Sequence, residues 1–358
     1  MRASCAVLGF RRCLREGGGG DTGDRHSGGS PIYRHSGQAV ALVHIATMAT
    51  VVSVVLPTFN RLKYLRSAVA SVFAQTIPDW ELLIADDGSD TETRAYLRSL
   101  EGASQVRILW LSHCGIPAAV RNAALAEARG EYVAFLDSDD EWMPHKLERQ
   151  LAALRARPER RWSYTGYILI DAEGKPLPSG YLQRTLHHGA ILGPLLANAV
   201  DIWTPAVVAE RRLLAQLGGF NPRLTAFEDY DLWLRLATQS EIELVDEPLV
   251  AVRRHAEHTD PPGISMAACR YQSLRTLEPL VHERHLRVLV GRAQASSALE
   301  FVRTQAELDP RAAARSILGG SSGAWRYWPW WAGLPRVLLK LLLPRAVLNF
   351  YRGKRRQN

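Results

Sequence analysis

The chain has 358 residues, of which 47 % are hydrophobic and 22 % charged, and this composition excludes collagen-like and wholly disordered proteins. Its net charge of +8 is unevenly distributed, because residues 48–260 have a net charge of −6 and residues 261–358 one of +11. A nucleic-acid-binding protein would carry a basic face on its folded body, so this pattern argues against nucleic acid as a partner and favours a domain attached by one end to an anionic surface.

Residues 1–47 have the composition of an extension that does not fold. They contain runs of glycine and scattered arginines, and they show no hydrophobic periodicity. The uncharged stretch 39–56 is long enough to suggest a membrane span, but it contains His44 and Thr47, and its last residues fit a buried strand better. Because Met48 stands just before that strand, we expect residues 1–47 to be disordered or upstream sequence without a structural role, with a targeting segment as the alternative.

From residue 51 onward the hydrophobic pattern alternates between strands and helices. Continuous apolar runs predict strands over 51–56, 81–85, 106–111 and 132–136. Between the first two strands, apolar residues from Leu62 to Phe73 recur at helical spacing. A second helix, between the third and fourth strands, begins at Pro117 and ends before Gly130. This βαβ array predicts an α/β fold with a mostly parallel sheet flanked by helices.

Polar clusters follow the predicted strands at their carboxyl ends, where ligands bind in folds of this kind. The clusters are 57–60, 86–87 and 137–140, and the last two are rich in aspartate. Carboxylates that converge on one sheet edge repel one another unless a cation lies between them, and Mg²⁺ is held in proteins by one or two carboxylates together with phosphate oxygens. The pattern therefore predicts a site for a metal-bound nucleotide diphosphate. No glycine-rich loop of the dehydrogenase or P-loop type follows the first strand, which argues against those classes.

Five motifs in order make the chain resemble glycosyltransferase family 2, the inverting transferases with the GT-A fold. They are VSVVLPTFNR, ELLIADDGSDTET, IPAAVRNAALAEARGEYVAFLDSDDEWMPHKL, LGGFNPRLTAFEDYDLWLRLA and the VRRH that ends at His255. The similarity covers residues 50–258. It implies a GT-A domain over 48–260 with a Rossmann-like, mostly parallel central sheet, followed by a helical, basic and aromatic-rich region over 261–358.

The resemblance also implies which residues bind the nucleotide. Three consecutive residues would line the base pocket: Pro57, Thr58 and Phe59. Asp87 would accept a hydrogen bond from a pyrimidine imide, and Arg121 would lie near the nucleotide. The loop 113–117 before Arg121 departs from the family pattern, in which small residues are usual, and this leaves its nucleotide contacts open.

The DXD-like motif and the last histidine of the similar stretch would hold the diphosphate. Asp137 would face the ribose, Ser138 would also contact the nucleotide, and Asp139 would coordinate Mg²⁺ or Mn²⁺. A helix N-cap is the alternative for Asp139. His255 corresponds to a histidine that contacts metal or diphosphate in some members of the family, and a hydrogen-bonded loop histidine is an equally open alternative.

The pair Glu228 and Asp229 matches the ED motif of the family, and Asp229 is the candidate general base. A carboxylate on the face of the donor sugar opposite the diphosphate would take the proton of the acceptor hydroxyl as it attacks, which gives inversion in one displacement. The alternative for Asp229 is to cap the helix that follows. For the other acids we expect structural positions: Asp140 and Glu141 in the first turn of a helix, and Asp231 facing solvent or a structural partner.

The sequence therefore predicts an inverting, metal-dependent glycosyltransferase of the hexosyltransferase type, with a nucleotide-diphosphate sugar donor that we expect to be a UDP-sugar. The resemblance implies surface polysaccharide or glycolipid assembly, with a glycan or lipid-linked acceptor. The stretch 181–200 is expected to face the acceptor and has no recognisable acceptor code. The alternative from another class is a sugar-nucleotide-binding membrane scaffold without turnover.

The basic C-terminal region predicts attachment to an anionic membrane surface. After a helical pattern over 261–316, residues 325–358 carry 8 Lys or Arg and no acid, and four of the 10 Trp lie in 325–331. The Leu-rich stretch around Lys340 is too short to span a bilayer, so we expect the tail to lie in the headgroup plane, with packing on the catalytic domain as the alternative. Four cysteines are too few for a disulfide framework in a chain of this length, so we expect a reducing compartment and a cytoplasmic, peripheral location on the inner face of the cell membrane.

Overall fold

The computed structural model describes residues 51–181, 187–255 and 263–308. The described part forms a sheet of nine strands flanked by helices. The expectation for residues 1–47 and the membrane-surface prediction for residues 325–358 lie outside the described residues.

Strands and helices alternate along the first half of the described chain. The strands are β1 Val52–Thr58, β2 Trp80–Asp86, β3 Val106–Trp110, β4 Tyr132–Phe135, β5 Glu141–Trp142, β6 Trp162–Ile170, β7 Pro176–Tyr181, β8 Val208–Glu210 and β9 Ile242–Arg253. The α-helices are α1 Leu62–Phe73, α2 Thr91–Leu100, α3 Pro117–Glu127, α4 Lys146–Ala156, α5 Leu192–Leu196, α6 Arg211–Gln216, α7 Glu228–Ala237, α8 Gly263–Leu277 and α9 Arg284–Leu308. Short 3₁₀ turns lie at Thr204–Ala206 and Glu278–Leu280.

Four parallel strands form the half of the sheet that the sequence predicts. Their order is β3, β2, β1, β4, and Val55 of β1 lies opposite both Leu83 of β2 and Phe135 of β4. The sheet continues through β8, β6, β9 and β5, in which only β6 and β9 pair in parallel. The α/β class with its flanking helices is confirmed. Because β1 to β4 run the same way, the loops after them all meet at one edge of the sheet.

The core lies where the predicted apolar runs meet. All seven residues of β2 are buried, as expected of a strand covered on both faces. Helix α1 packs on the sheet through Leu65, Val69 and Val72, which share one face of the helix. Each predicted boundary of the four parallel strands lies within two residues of the observed one.

Helices α8 and α9 add to the same core. Leu274 and Leu277 of α8 and Val290 of α9 are buried and cluster with the apolar residues of the sheet. The helical pattern predicted for 261–316 is present over the described residues 263–308, and the division at residue 260 stays a prediction. None of the helices in the described ranges has the length and apolar character needed to cross a membrane.

Candidate functional site

A cavity of about 390 Å³ opens at the edge of the sheet where β1, β2 and β4 end. Eight of the site residues predicted from the sequence line it: Pro57, Thr58, Phe59, Asp87, Arg121, Asp137, Ser138 and Asp139. Parallel pairing brings their segments together, since Thr58 at the end of β1 lies opposite Asp86 at the end of β2. Arg61 and His113 line the cavity as well, although neither of them was predicted as a site residue.

Asp87 is an acceptor held in place by the loop after β3. Its Oδ1 accepts a hydrogen bond from the N–H of Cys114 at 2.8 Å, and its Oδ2 accepts one from the N–H of Gly115 at 2.9 Å. Burial by itself would raise the pKa of Asp87, but these two backbone donors outweigh it and hold the pKa below its ordinary value. Asp87 is therefore an ionised carboxylate that faces the cavity.

His113 covers the aromatic side chain at the end of β1. The rings of His113 and Phe59 stack with centroids 4.2 Å apart, and His113 Nδ1 lies 3.0 Å from Asp87 Oδ2. Gly88 permits this approach, because it has a positive φ of 79° and a Cβ there would lie 3.0 Å from the backbone nitrogen of His113. The signal in the sequence was the loop 113–117 itself, which departs from the pattern of the family that the chain resembles.

Arg121 joins two motifs that lie far apart in the sequence. It is buried, its Nη2 donates to Asp137 Oδ1 at 2.6 Å, and its Nη1 donates to Glu228 Oε1 at 2.9 Å. Burial by itself would lower the pKa of Arg121, but Asp137 and Glu228 raise it above its ordinary value, so the guanidinium stays charged. The sequence placed Arg121 near the nucleotide and missed its ion pair with Glu228.

Asp139 and His255 lie close together at the end of the cavity, and Arg61 contacts both of them. Asp139 Oδ2 lies 3.1 Å from His255 Nε2, and Arg61 Nη1 lies 3.2 Å from the first atom and 3.1 Å from the second. The backbone of Asp139 is held separately, because its carbonyl accepts a hydrogen bond from Arg253 Nε at 2.9 Å. A fixed carboxylate and an imidazole nitrogen, both directed at one point, are a suitable donor set for Mg²⁺ or Mn²⁺ that completes its coordination with phosphate and water.

No group of three or more His, Cys, Asp and Glu side chains in the described ranges is arranged to hold a metal ion by itself. A cation at Asp139 and His255 would need further ligands, and phosphate oxygens and water are the ligands that Mg²⁺ takes beside carboxylates.

The positions expected for Asp140 and Glu141 were wrong. Asp140 is buried, and its Oδ1 accepts a hydrogen bond from the backbone N–H of Arg253 at 2.8 Å. Glu141 begins β5, and helix α4 begins five residues later with His145 as its N-cap, so Asp139 is not a helix cap either. The acids that follow the DXD-like motif hold its loop against β9. This contact joins segments far apart in the sequence, so a local pattern could not predict it.

Asp229 lies in the first turn of α7 beside the 3₁₀ turn Thr204–Ala206. Its Oδ2 accepts a hydrogen bond from Thr204 Oγ1 at 3.0 Å, and its Oδ1 accepts one from the N–H of Tyr230 at 2.6 Å. Burial and the neighbouring Glu228 raise the pKa of Asp229 to about 6. The carboxylate is thus ionised at neutral pH and far more basic than an ordinary aspartate, which suits a general base.

The 3₁₀ turn that holds Asp229 is tied to the segment after the DXD-like motif. Trp142 Nε1 donates to the carbonyl of Pro205 at 2.9 Å, and Gln150 Nε2 donates to the carbonyl of Ala206 at 3.0 Å. Asp231, by contrast, is buried against Arg235 with its Oδ2 2.7 Å from Nη2, so it is a structural partner as one of the two expectations held.

Comparison with known proteins identifies a family over the part of the chain that lines this cavity. The model of the family described as "Glycosyl transferase family 2" matches residues 53–160. The chain is 42 % identical over 127 residues to the putative teichuronic acid biosynthesis glycosyltransferase TuaG of Bacillus subtilis, a match that covers 35 % of this chain and 50 % of TuaG. The chain therefore spans about half the length of that relative.

A second relative is covered more completely. The chain is 31 % identical over 198 residues to the Escherichia coli UDP-Glc:alpha-D-GlcNAc-diphosphoundecaprenol beta-1,3-glucosyltransferase WfgD. This match covers 54 % of this chain and 73 % of WfgD. Among solved structures, the mannosyltransferase PcManGT of Pyrobaculum calidifontis, in complex with GDP-Man and Mn²⁺, superimposes with a TM-score of 0.52 over 84 % of this chain and 87 % of that one. At 17 % identity, this last likeness concerns the fold alone.

Proposed function

This chain belongs to glycosyltransferase family 2, and on that premise we propose that it moves a sugar from a nucleotide-diphosphate donor to a hydroxyl group of its acceptor with inversion. The observation that carries the proposal is one guanidinium, Arg121, which binds Asp137 in the wall of the cavity and Glu228, the residue next to the basic carboxylate Asp229. A donor site and a base are thereby fixed to each other. We propose a UDP-sugar as the donor, since the relative WfgD is named for UDP-Glc.

The nucleotide end of the cavity supplies a flat ring and an ionised acceptor. The stacked rings of Phe59 and His113 form an aromatic wall for a base, and Asp87 accepts the imide N–H of a pyrimidine, for which the lowered pKa keeps the carboxylate ionised. Thr58 Oγ1 is buried without a hydrogen-bond partner among the described residues, in a side chain that lines the cavity. A bound nucleotide gives this hydroxyl a partner.

The diphosphate lies toward Asp139 and His255, which hold Mg²⁺ or Mn²⁺ in this proposal. When bound there, the ion neutralises charge on the leaving diphosphate. The side chain of Asp139 is held by Arg61 and its backbone by Arg253, so the carboxylate is set in place before the donor arrives.

Asp229 acts at the opposite side of the sugar. Thr204 fixes one oxygen of its carboxylate, and the raised pKa allows it to take the proton of the acceptor hydroxyl as that oxygen attacks the anomeric carbon. One base suffices for a single displacement. The names of TuaG and WfgD support an acceptor in a surface polysaccharide or a lipid-linked glycan.

We expect UDP with Mn²⁺ to raise the melting temperature of the protein, and Asp139→Ala to remove most of that increase. A ligand at about 100-fold its dissociation constant adds about 2.7 kcal/mol to the free energy of unfolding. Asp201→Ala, which removes an exposed acid outside the cavity wall, serves as the matched control and should keep the full increase. If the melting temperature rises equally in EDTA, the ion has no place in the proposal. If GDP raises the melting temperature and UDP does not, the donor is not a UDP-sugar.

We further propose that residues 325–358 attach the enzyme to the cytoplasmic face of an anionic membrane. Each Lys or Arg near such a leaflet contributes about 1 kcal/mol, and the segment carries eight of them. The full chain should sediment with phosphatidylglycerol vesicles at low salt, and a chain ending at residue 324 should stay in the supernatant. Neutral phosphatidylcholine vesicles are the control. Equal sedimentation of the shortened chain would place the membrane contact elsewhere.

A further inference from the structure

Arg61 lies at the point where an ion bound by Asp139 and His255 would compete with it. Its Nη1 is 3.2 Å from Asp139 Oδ2 and 3.1 Å from His255 Nε2, and those two atoms are themselves only 3.1 Å apart. The three side chains thus form a nearly equilateral triangle of polar atoms. The side chain of His255 is 1 % exposed and that of Asp139 is 16 % exposed, whereas 26 % of Arg61 is exposed and this residue lines the cavity.

The contacts among the three atoms depend on which nitrogen of His255 carries its proton. An arginine nitrogen only donates, so His255 Nε2 accepts from Arg61 in one tautomer and donates to Asp139 Oδ2 in the other. Asp139 Oδ2 faces the arginine nitrogen with a lone pair. In the first tautomer, two acceptors 3.1 Å apart share one cationic donor, which is the arrangement that a metal ion would impose on them.

We propose that Arg61 and the divalent cation compete for the Asp139–His255 pair, and that the donor's diphosphate settles the competition by binding the displaced guanidinium. The inference rests on the proposed function, because it assigns a further role within the same site. In consequence the protein binds the cation weakly alone and tightly together with the nucleotide. Arginine suits this exchange, since its planar fork matches carboxylate and phosphate equally well.

The surroundings allow Arg61 to move while the two ligands stay. Asp139 is anchored through its carbonyl to Arg253, and the ring of His255 packs on Tyr64 with centroids 4.6 Å apart. Arg61 itself precedes α1 and makes no side-chain cap of that helix. A change at Arg61 is therefore expected to alter which cation the pair holds, and to leave the position of the pair unchanged.

The competition has a thermodynamic signature that a merely structural ion pair lacks. If diphosphate and cation each relieve the competition for the other, their binding is coupled, and the coupling must be reciprocal. Removal of Arg61 should strengthen binding of the cation alone and shrink the factor by which a nucleotide strengthens it. The loss of one positive charge elsewhere near the site would increase the affinity for the cation only slightly, and would not change the coupling to the nucleotide.

The test is a titration with Mn²⁺ alone and with Mn²⁺ in the presence of UDP, with free Mn²⁺ followed by electron paramagnetic resonance. We expect Arg61→Gln to bind Mn²⁺ alone about tenfold more tightly than the unchanged protein, and the strengthening by UDP to fall by about the same factor. Arg61→Lys keeps the charge and should remain close to the unchanged protein. Lys63→Gln removes a neighbouring exposed charge two residues along, outside the triangle, and is the matched control.

Each other outcome has a defined meaning. Weaker or unchanged binding of Mn²⁺ alone by Arg61→Gln would overturn the competition, and so would an equal gain in Lys63→Gln. If the unchanged protein binds no Mn²⁺ even with UDP, the proposed metal-dependent function fails first and the inference falls with it. Melting curves in EDTA check that the variants are folded. If Arg61→Gln does not fold, the same titration is done with Arg61→Lys. A tenfold gain in the binding of Mn²⁺ alone by Arg61→Lys would overturn the proposal.

Discussion

Replacement of Asp229 by asparagine is expected to lower the turnover number about 10²- to 10⁴-fold, the usual contribution of a general base. Asparagine keeps the size of the side chain, and its amide can still hydrogen-bond to Thr204, which holds Asp229 Oδ2 at 3.0 Å. The binding of UDP with Mn²⁺ and the melting temperature should therefore stay close to those of the unchanged protein. Initial rates of sugar transfer, measured at saturating donor, check the expectation.

The pH profile provides the internal control for Asp229. Its pKa of about 6 means that the carboxylate takes up a proton as the pH falls through that value, so the rate should drop about tenfold for each pH unit below it and stay level above it. The residual rate of the asparagine variant should lack this acid limb. Near-normal turnover of the variant would move the base elsewhere, with Glu228 as the next candidate.

Replacement of Arg121 by alanine is expected to reduce the free energy of unfolding by about 3–5 kcal/mol, because Asp137 and Glu228 then lose the one guanidinium that binds them both. Turnover should fall as well, since the same change loosens the link between the cavity wall and Asp229. Urea titrations and transfer assays measure the two effects. The loss of a nearby cation should also raise the pKa of Asp229 further and move the acid limb to higher pH.

A lysine variant separates the contact of Arg121 with two carboxylates from its charge, and a change at an exposed arginine is the control. Arg121→Lys keeps the charge but lacks the planar fork that reaches two carboxylates, so we expect an intermediate loss of stability. Arg149→Ala breaks an exposed ion pair in which Arg149 Nε lies 3.6 Å from Glu247, and it should cost no more than about 1 kcal/mol. A stability of Arg121→Ala close to that of Arg149→Ala would contradict the bridging role.

The first half of the fold could be predicted from the sequence because its strands are continuous apolar runs. β2, buried along its whole length, is an example. The second half gave no such pattern. β8 has three residues and β5 only two, and β9 contains Glu243, Asp246 and Pro248 and shifts its register where it pairs with β6. Such strands are defined by their neighbours in the sheet, which a local pattern does not contain.

The same distinction holds for the site. The positions of Asp87, Asp137 and Asp139 follow from the rule that loops after parallel strands meet at one edge, so the sequence could bring them together. Their partners could not be predicted. Arg121 and Glu228 are 107 positions apart, and Arg61 and His255 are 194 apart, so these contacts are visible only once the chain is folded.

The 3₁₀ turn Thr204–Ala206 and the two side chains that donate hydrogen bonds to it form a clamp, and this clamp limits how the protein can be recombined with its relatives. Trp142 and Gln150 fix the turn from one side, and Thr204 passes that fixed position on to Asp229. A chimaera with its crossover between residues 150 and 204 would take Trp142 and Gln150 from one parent and the turn from the other, so the contacts that position Asp229, the proposed base, would be mixed. Exchange of acceptor preference between parents is therefore best attempted with a cassette inside 151–203, which leaves both sides of the clamp from one parent.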